Sequence, residues 1–294
     1  MANAPKVKVV TKNPDLVGEC PEWNAEQGEM LWTDNRSQCV YTYSPASGIV
    51  KTIVEGVAAY AFTQQRDGGL LLFLSDTRVA IARDGIIENV VDGLPGEEGA
   101  RFNDVLVDSA GRVLCGVVPT GGDGSGSLYS LTLTSKPQAR KLHGGMQMPN
   151  GMAFSPSEQL LYVADTSARH ILAFDYDVST GDATAARPLI EFLPGEGSPD
   201  GITVDSSGCI WVAATGSWAV ARYGPDGALL QRVLLPARKP TSVGFGGIEL
   251  DTLFITSASR ESVPGEELGA EAGALFALKP GVAGVKSHRT DWKA

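Results

Sequence analysis

The sequence predicts an all-β fold, a six-bladed β-propeller, on three observations. A two-strand unit recurs six times, the units repeat at the period of a propeller blade, and chain-reversing residues are abundant while nothing reads as a linker between halves. In chain order the units are ECPEW-NAEQGE-MLWTD, AYAFTQQ-RDGG-LLLFLS, FNDVLV-DSAGR-VLCGVV, NGMAF-SPSEQ-LLYVAD, DGITV-DSSG-CIWVAA and TSVGF-GGIELD-TLFITS. Their first turn residues, Asn24, Asp67, Asp108, Ser155, Asp205 and Gly246, are separated by steps of 43, 41, 47, 50 and 41 residues.

Each unit continues into a third strand of aromatic and β-branched alternation closed by a turn: CVYTYSPASG, RVAIARDG, SLYSLTL, HILAFDYDVSTG, AVARYGPDG and ALFALKPG. Segments such as IVKTIVEG and ALLQRVLL supply a fourth, outer strand. The N-terminal run VKVVT is expected to pair near the C-terminus and close the ring, which removes exposed sheet edges. Six similar units without a linker argue against two stacked sandwiches, and no Gly-His or Trp-Asp pair recurs as in WD40 propellers. Residues 1–294 therefore read as one domain around a continuous core.

Composition narrows the partners. Of the 294 residues 43% are hydrophobic and 20% charged, an ordinary globular balance. The net charge of −10, with no long Lys/Arg run, argues against nucleic-acid and acidic-membrane partners and leaves a small molecule as the expected one. No apolar stretch has the length of a signal sequence core or membrane span, so a cytoplasmic location is expected. Cys20, Cys39, Cys115 and Cys209 stand singly and read as reduced packing residues, Cys20 being set apart by its neighbour Glu19.

Repetition also locates chemistry, because residues at one offset in every blade occupy equivalent positions around the axis. Five residues before the turn anchors stand Glu19, Phe62, Asn103, Asn150, Asp200 and Thr241. Neighbouring positions (Val105, Met152, Ile202) are apolar, so a polar ring at one offset needs a reason, and convergence on the channel mouth supplies it. Two carboxylates and two amides sharing one space call for a cation between them. An all-oxygen set suits Ca²⁺, Mg²⁺ or Mn²⁺, with Zn²⁺ also accepting carboxylate oxygen. Asn150-Gly151 and Asp200-Gly201 are equally turn-forming dipeptides, an alternative that stands at this point. Other constellations are poorly supplied. His143, His170 and His288 belong to no HExxH motif, there is no GxSxG elbow, and TGGDGSGS (120–127) lacks the Lys-Ser/Thr of a phosphate loop and reads as a mobile hairpin loop.

At these residues the chain resembles the regucalcin (senescence marker protein), gluconolactonase and luciferin-regenerating enzyme family. The resemblance rests on Gly18-Glu19-Cys20-Pro21-Glu22-Trp23 with LWTD, Arg101-Phe102-Asn103-Asp104, Pro149-Asn150-Gly151 with LYVADT, Pro199-Asp200-Gly201 before IWVAA, and Pro240-Thr241-Ser242. It implies that Glu19, Asn150 and Asp200 ligate one divalent ion, Ca²⁺ or Zn²⁺, and that Arg101 and Asn103 face the substrate. The expected activity is metal-dependent hydrolysis of a lactone, a sugar lactone or related small cyclic ester. Asp200 is the candidate base, and Arg101 orients the ester oxygen or stabilises negative charge, or else makes a structural salt bridge with Asp104 or a carbonyl contact. The alternatives are phosphotriester or aryl-ester hydrolysis, another reaction on a cyclic substrate, and a non-enzymatic, metal-stabilised binding propeller. The chain departs from sugar-lactonase members at Val113-Leu114-Cys115-Gly116-Val117-Val118, where their Trp-Ala-Gly-Thr-Met strand leads to an acidic residue; a less polar pocket is the expectation.

Overall fold

A computed structural model describes residues 6–11, 14–120, 125–134 and 137–292. Their strands form six four-stranded antiparallel sheets. The innermost strands are, in order, Gly18–Asn24 (blade 1), Ala61–Gln64 (blade 2), Ala100–Val107 (blade 3), Pro149–Phe154 (blade 4), Ser198–Val204 (blade 5) and Pro240–Gly246 (blade 6). Each packs on the innermost strand of the next blade, and the last packs on the first, so the ring is closed. Residues 125–127 of the glycine-rich stretch begin or lead into the third strand of blade 3 (Gly126–Thr132), whereas 121–124 lie outside the described residues.

Second strands such as Leu70–Phe73 and Leu160–Asp165 are almost wholly apolar and buried, because each blade is covered on both faces by its neighbours. Outer strands face water on one side and carry charge, as in Ile49–Glu55. Instead of the continuous core expected, the apolar side chains divide into six wedges, one for each junction between blades. Leu71, Phe73, Phe102 and Val113 fill the wedge between blades 2 and 3, and Met30, Trp32, Phe254 and Leu275 the one between blades 1 and 6. A ring with an open axis has no centre to fill, so burial moves to the flat faces of the blades.

Both chain ends complete the ring, as the VKVVT reading anticipates. Lys8–Thr11 is the outer strand of blade 6, antiparallel to Leu275–Leu278 with Lys8 opposite Ala277. The residues after this strand then run as a strap across the far end of the channel. Ser206 donates its N–H to the Ala283 carbonyl (2.8 Å), His288 meets Glu158 (2.6 Å), and Arg289 pairs with Glu26 (2.8 Å). Thr290 bridges to Gln65, and the Trp292 indole donates to the Thr134 carbonyl (3.2 Å). The strap thus ties blade 5 to blades 4, 1, 2 and 3 in turn.

The turn anchors are structural. Asp108 accepts from Arg112 and from the Tyr176 hydroxyl, and Asp205 accepts from the Trp211 indole and from Arg222, each buried and fully engaged.

Candidate active site

Five of the six innermost strands carry a register shift at the same place. It falls between Glu19 and Glu22, Phe102 and Val105, Pro149 and Met152, Pro199 and Ile202, and Pro240 and Ser242. A bulge re-aims one side chain out of the pleat. Asn103, Asn150 and Asp200 lie inside the shift and Glu19 at its edge, and the four line one cavity of about 210 Å³ together with Arg101 and Asp104. Blade 2 has no such shift, and its residue at the shared offset, Phe62, is buried in the wedge between blades 1 and 2. Thr241 of blade 6 has the bulge but stays out of the cavity, its hydroxyl donating to the Gly18 carbonyl and sharing a hydrogen bond with Thr256 (2.9 Å).

Gly151 and Gly201 are strand residues, so the turn-former alternative fails. A Cβ on Gly151 would stand 2.4 Å from the Asp200 carbonyl oxygen, and one on Gly201 would stand 2.0 Å from Ser242 Oγ. These glycines let adjacent innermost strands approach closely enough to bring Asn150 and Asp200 side by side.

Hydrogen bonds order the set. Asn150 Nδ2 donates to Asp200 Oδ1 and to Thr166 Oγ1 (3.0 Å), which leaves its amide oxygen for another partner. Arg101 lies 4.6 Å over the Tyr60 ring and donates to the Phe102 carbonyl (3.1 Å) and to Asn103 Oδ1 (2.5 Å). Among the described residues it makes no ion pair with Asp104, but the carbonyl contact of the structural alternative is present, to Phe102. Asn103 also donates to the Pro149 carbonyl (3.0 Å), so its amide couples blade 3 to blade 4 and holds Arg101 in place.

The floor of the cavity is electrostatically unfavourable as a set of bare acids. Burial, then the charges of Asp200 and Asp104, hold the Glu19 carboxyl well above the usual carboxylate range. Burial and the charge of Asp104 push Asp200 up to about 8 against the opposing bond from Asn150, and burial pushes Asp104 up to about 6. A cation between Glu19 and Asp200 would relieve this repulsion, and the oxygens of Glu19, Asp200 and Asn150 form a hard donor set suited to one. The residues therefore fit a divalent ion by their chemistry. Among the described residues no group of three His, Cys, Asp or Glu side chains is arranged for a metal, so an amide oxygen has to complete this set.

Cys20 and Asp104 form a partition. Both line this cavity and a second one of about 130 Å³ further down the axis, which Lys286 and His288 of the strap also line. Burial raises the Cys20 thiol well above its ordinary pKa, and its Sγ donates to the Phe62 carbonyl (3.6 Å), so it is a packed thiol. All four cysteines are free, and none of the three histidines lines the upper cavity.

Several lining residues escaped the repeat argument: Tyr60, Met148 and Thr166, and the rim arginines Arg36 and Arg260. They sit on loops between or within blades, outside any shared offset. One signal does point to their loops. Asp34 of LWTD accepts from the amides of Leu16 (2.7 Å), Val17 (3.2 Å) and Arg36 (3.0 Å), and Asp165 of LYVAD accepts from Gln147 (2.7 Å) and Met148 (2.8 Å). The acid ending the second strand thus fixes the loop leading into the strand that carries Glu19 or Asn150.

The family profile described as the SMP-30/Gluconolactonase/LRE-like region matches residues 17–259. Pentonolactonase XacC of Haloferax volcanii is 36% identical over 283 residues, covering 94% of either chain. The 6-deoxy-6-sulfogluconolactonase of Pseudomonas putida is 34% identical over 283 residues, covering 95% of this chain and 96% of its own. Among solved structures, a luciferin-regenerating enzyme superposes with a TM-score of 0.88 at 25% identity, covering 98% of this chain and 99% of that one.

Proposed function

We propose, from the premise that this chain belongs to the SMP-30/gluconolactonase/LRE-like family, that it opens sugar lactones using one divalent cation held by Glu19, Asn150 and Asp200. The observation that carries the reading is the meeting of these three side chains, from blades 1, 4 and 5, in one cavity with Arg101 and Asn103. Ca²⁺ and Zn²⁺ are the leading ions, with Mg²⁺ and Mn²⁺ compatible with the same oxygens. The chemistry such an ion supplies when bound is Lewis acidity toward the lactone carbonyl.

The protein's own groups account for the rest. Asp200 has one oxygen occupied by Asn150, and its second would both hold the cation and take the proton of an attacking water. Water adds to the carbonyl carbon, the ring C–O bond breaks, and the proton returns to the departing alkoxide to give the open hydroxy acid. Arg101, held by Asn103, the Phe102 carbonyl and the Tyr60 ring, presents its remaining N–H groups to the ester oxygens. Four free cysteines accord with a reducing, cytoplasmic setting.

The test is hydrolysis of a panel of aldonolactones followed by pH-stat, with chelator-treated protein before and after adding each of the four ions. Turnover restored by one or more of them is the expected result. Full turnover after chelation, or none with any ion, would refute the reading.

A further inference from the structure

The cavity described above has an acidic floor and a basic rim. On a chain of net charge −10, three arginines line it: Arg36, Arg101 and Arg260. Of the other arginines seven are neutralised, while Arg66, Arg78, Arg169 and Arg232 are in none of the ion pairs among the described residues. Arg83, Arg112, Arg140, Arg187, Arg222, Arg238 and Arg289 all pair with carboxylates. Among the described residues, none of the three at the cavity appears in an ion pair. In a protein with an excess of acids, three arginines outside any of these ion pairs thus gather at one opening.

Their placement is fixed by one short segment. Arg36 follows the second strand of blade 1 and donates its backbone N–H to Asp34 (3.0 Å), the same carboxylate that anchors the Leu16 and Val17 amides. Arg260 follows the second strand of blade 6 and donates its backbone N–H to the Leu16 carbonyl (3.2 Å), while Ser259 donates to the Asp15 carbonyl (3.0 Å). Residues 15–17 therefore rivet both loops to the rim beside Glu19. The side chains of Arg36 and Arg260 are exposed there, above the half-buried Arg101. Arg36 is also near enough to Arg101 to add to burial in depressing the Arg101 pKa. Like charges gathered at one opening are unfavourable in the free protein, and an anion entering between them removes the repulsion. Guanidinium groups match carboxylate, sulfonate and phosphate oxygens with paired hydrogen bonds.

We propose that the lactone opened here carries an anionic substituent away from its reacting carbonyl, and that Arg36 and Arg260 receive that group at the rim. The proposal rests on the lactonase reading and gives it a substrate class. The floor, with its cation, takes the carbonyl end; the rim takes the charged end; Arg101 stands between them.

The experiment compares glucono-1,5-lactone with the same ring bearing a carboxylate, a sulfonate or a phosphate at C6, using the metal-loaded protein. Wild-type kcat/KM is expected to favour at least one anionic lactone by about tenfold or more, with the preference shrinking as salt is raised. In Arg36→Gln, Arg260→Gln and the double variant, the ratio of anionic to neutral kcat/KM should fall by about tenfold, through KM rather than kcat. A wild type that prefers the neutral lactone, or variants that lose both substrates equally, would overturn the proposal and leave lactone hydrolysis standing. Absence of turnover on every lactone with every ion would overturn the lactonase reading and this proposal together.

Discussion

Asn150 and Asp200, on innermost strands of neighbouring blades, are joined by a hydrogen bond from the amide of one to the carboxylate of the other. The bond orients both groups at once. It turns the amide oxygen of Asn150 away from its donor end, and it leaves a single oxygen of Asp200 uncommitted. Their closeness is possible because the following residues, Gly151 and Gly201, have no side chain where the strands meet.

Asp200→Asn is therefore expected to remove both a ligand and a proton acceptor. Turnover should fall by about 10³-fold or more. In chelator-treated protein at pH 9 the same change should raise the thermal midpoint, since Asp200, with its pKa pushed up to about 8, is charged there at the cost of burial and of repulsion from Asp104. Added divalent ion should stabilise the wild type and not the variant, read by calorimetry at matched ion concentrations.

Gly201→Ala tests the close approach of strands. Its Cβ would meet Ser242 Oγ at 2.0 Å and Ser242 Cα at 2.6 Å, the latter a backbone atom that cannot turn away. A loss of about 1–3 kcal/mol is expected, seen as a lower denaturant midpoint with unchanged slope. Gly28→Ala, in a turn with open space around it, isolates the smaller cost of a positive φ alone.

Asp15 makes stability depend on pH. It is buried, one oxygen accepts from the Trp32 indole (2.7 Å), the other has no partner, and burial raises its pKa to about 8 with a further contribution from Asp34. The folded state holds the proton more tightly than the unfolded one, so this contribution is fully present below about pH 4 and lost as pH rises to about 8. Asp15→Asn keeps an acceptor for Trp32 and should flatten the decline across that window, measured as unfolding free energy against pH.

The strap predicts a change at Cys20. Ending the chain after Gly284 removes Lys286 and His288 from the lower cavity, the Arg289–Glu26 pair, and Trp292, which packs on the wedge between blades 2 and 3. The expected outcome is a lower thermal midpoint and a Cys20 thiol that a small alkylating reagent reaches about tenfold faster or more, with Cys20→Ser as the control. An unchanged alkylation rate would show that the strap does not guard the lower mouth.

Periodicity made the architecture legible, because every blade must present the same alternation to its two neighbours and must turn at the same point. The outer strands and the pairing of both chain ends followed from the same logic. It located Glu19, Asn103, Asn150 and Asp200 for a reason the sequence does not display, the break in strand pairing at or beside each of them. Where a blade lacks the bulge, as at Phe62, the shared offset leads into the core, and where a hydroxyl finds a nearer acceptor, as at Thr241, it leads to a tie between strands. Arg36, Tyr60 and Arg260 come from loops of unequal length, so their meeting at one rim is a property of the closed ring alone.

The sixth blade is assembled from the first described strand and the last, Lys8–Thr11 beside Leu275–Leu278. During synthesis, five blades can form before Leu275–Leu278 has left the ribosome, but until then Lys8–Thr11 has no partner. Until then the nascent ring is open at one seam, with two wedge faces and an unpaired strand edge exposed to other chains. Closure brings together strands far apart in sequence, Lys8–Thr11 and Leu275–Leu278, a step whose entropy has to be met all at once. The same pairing acts as a check on completeness: a chain cut short before Leu275 lacks the strand on which the first one docks, and stays open.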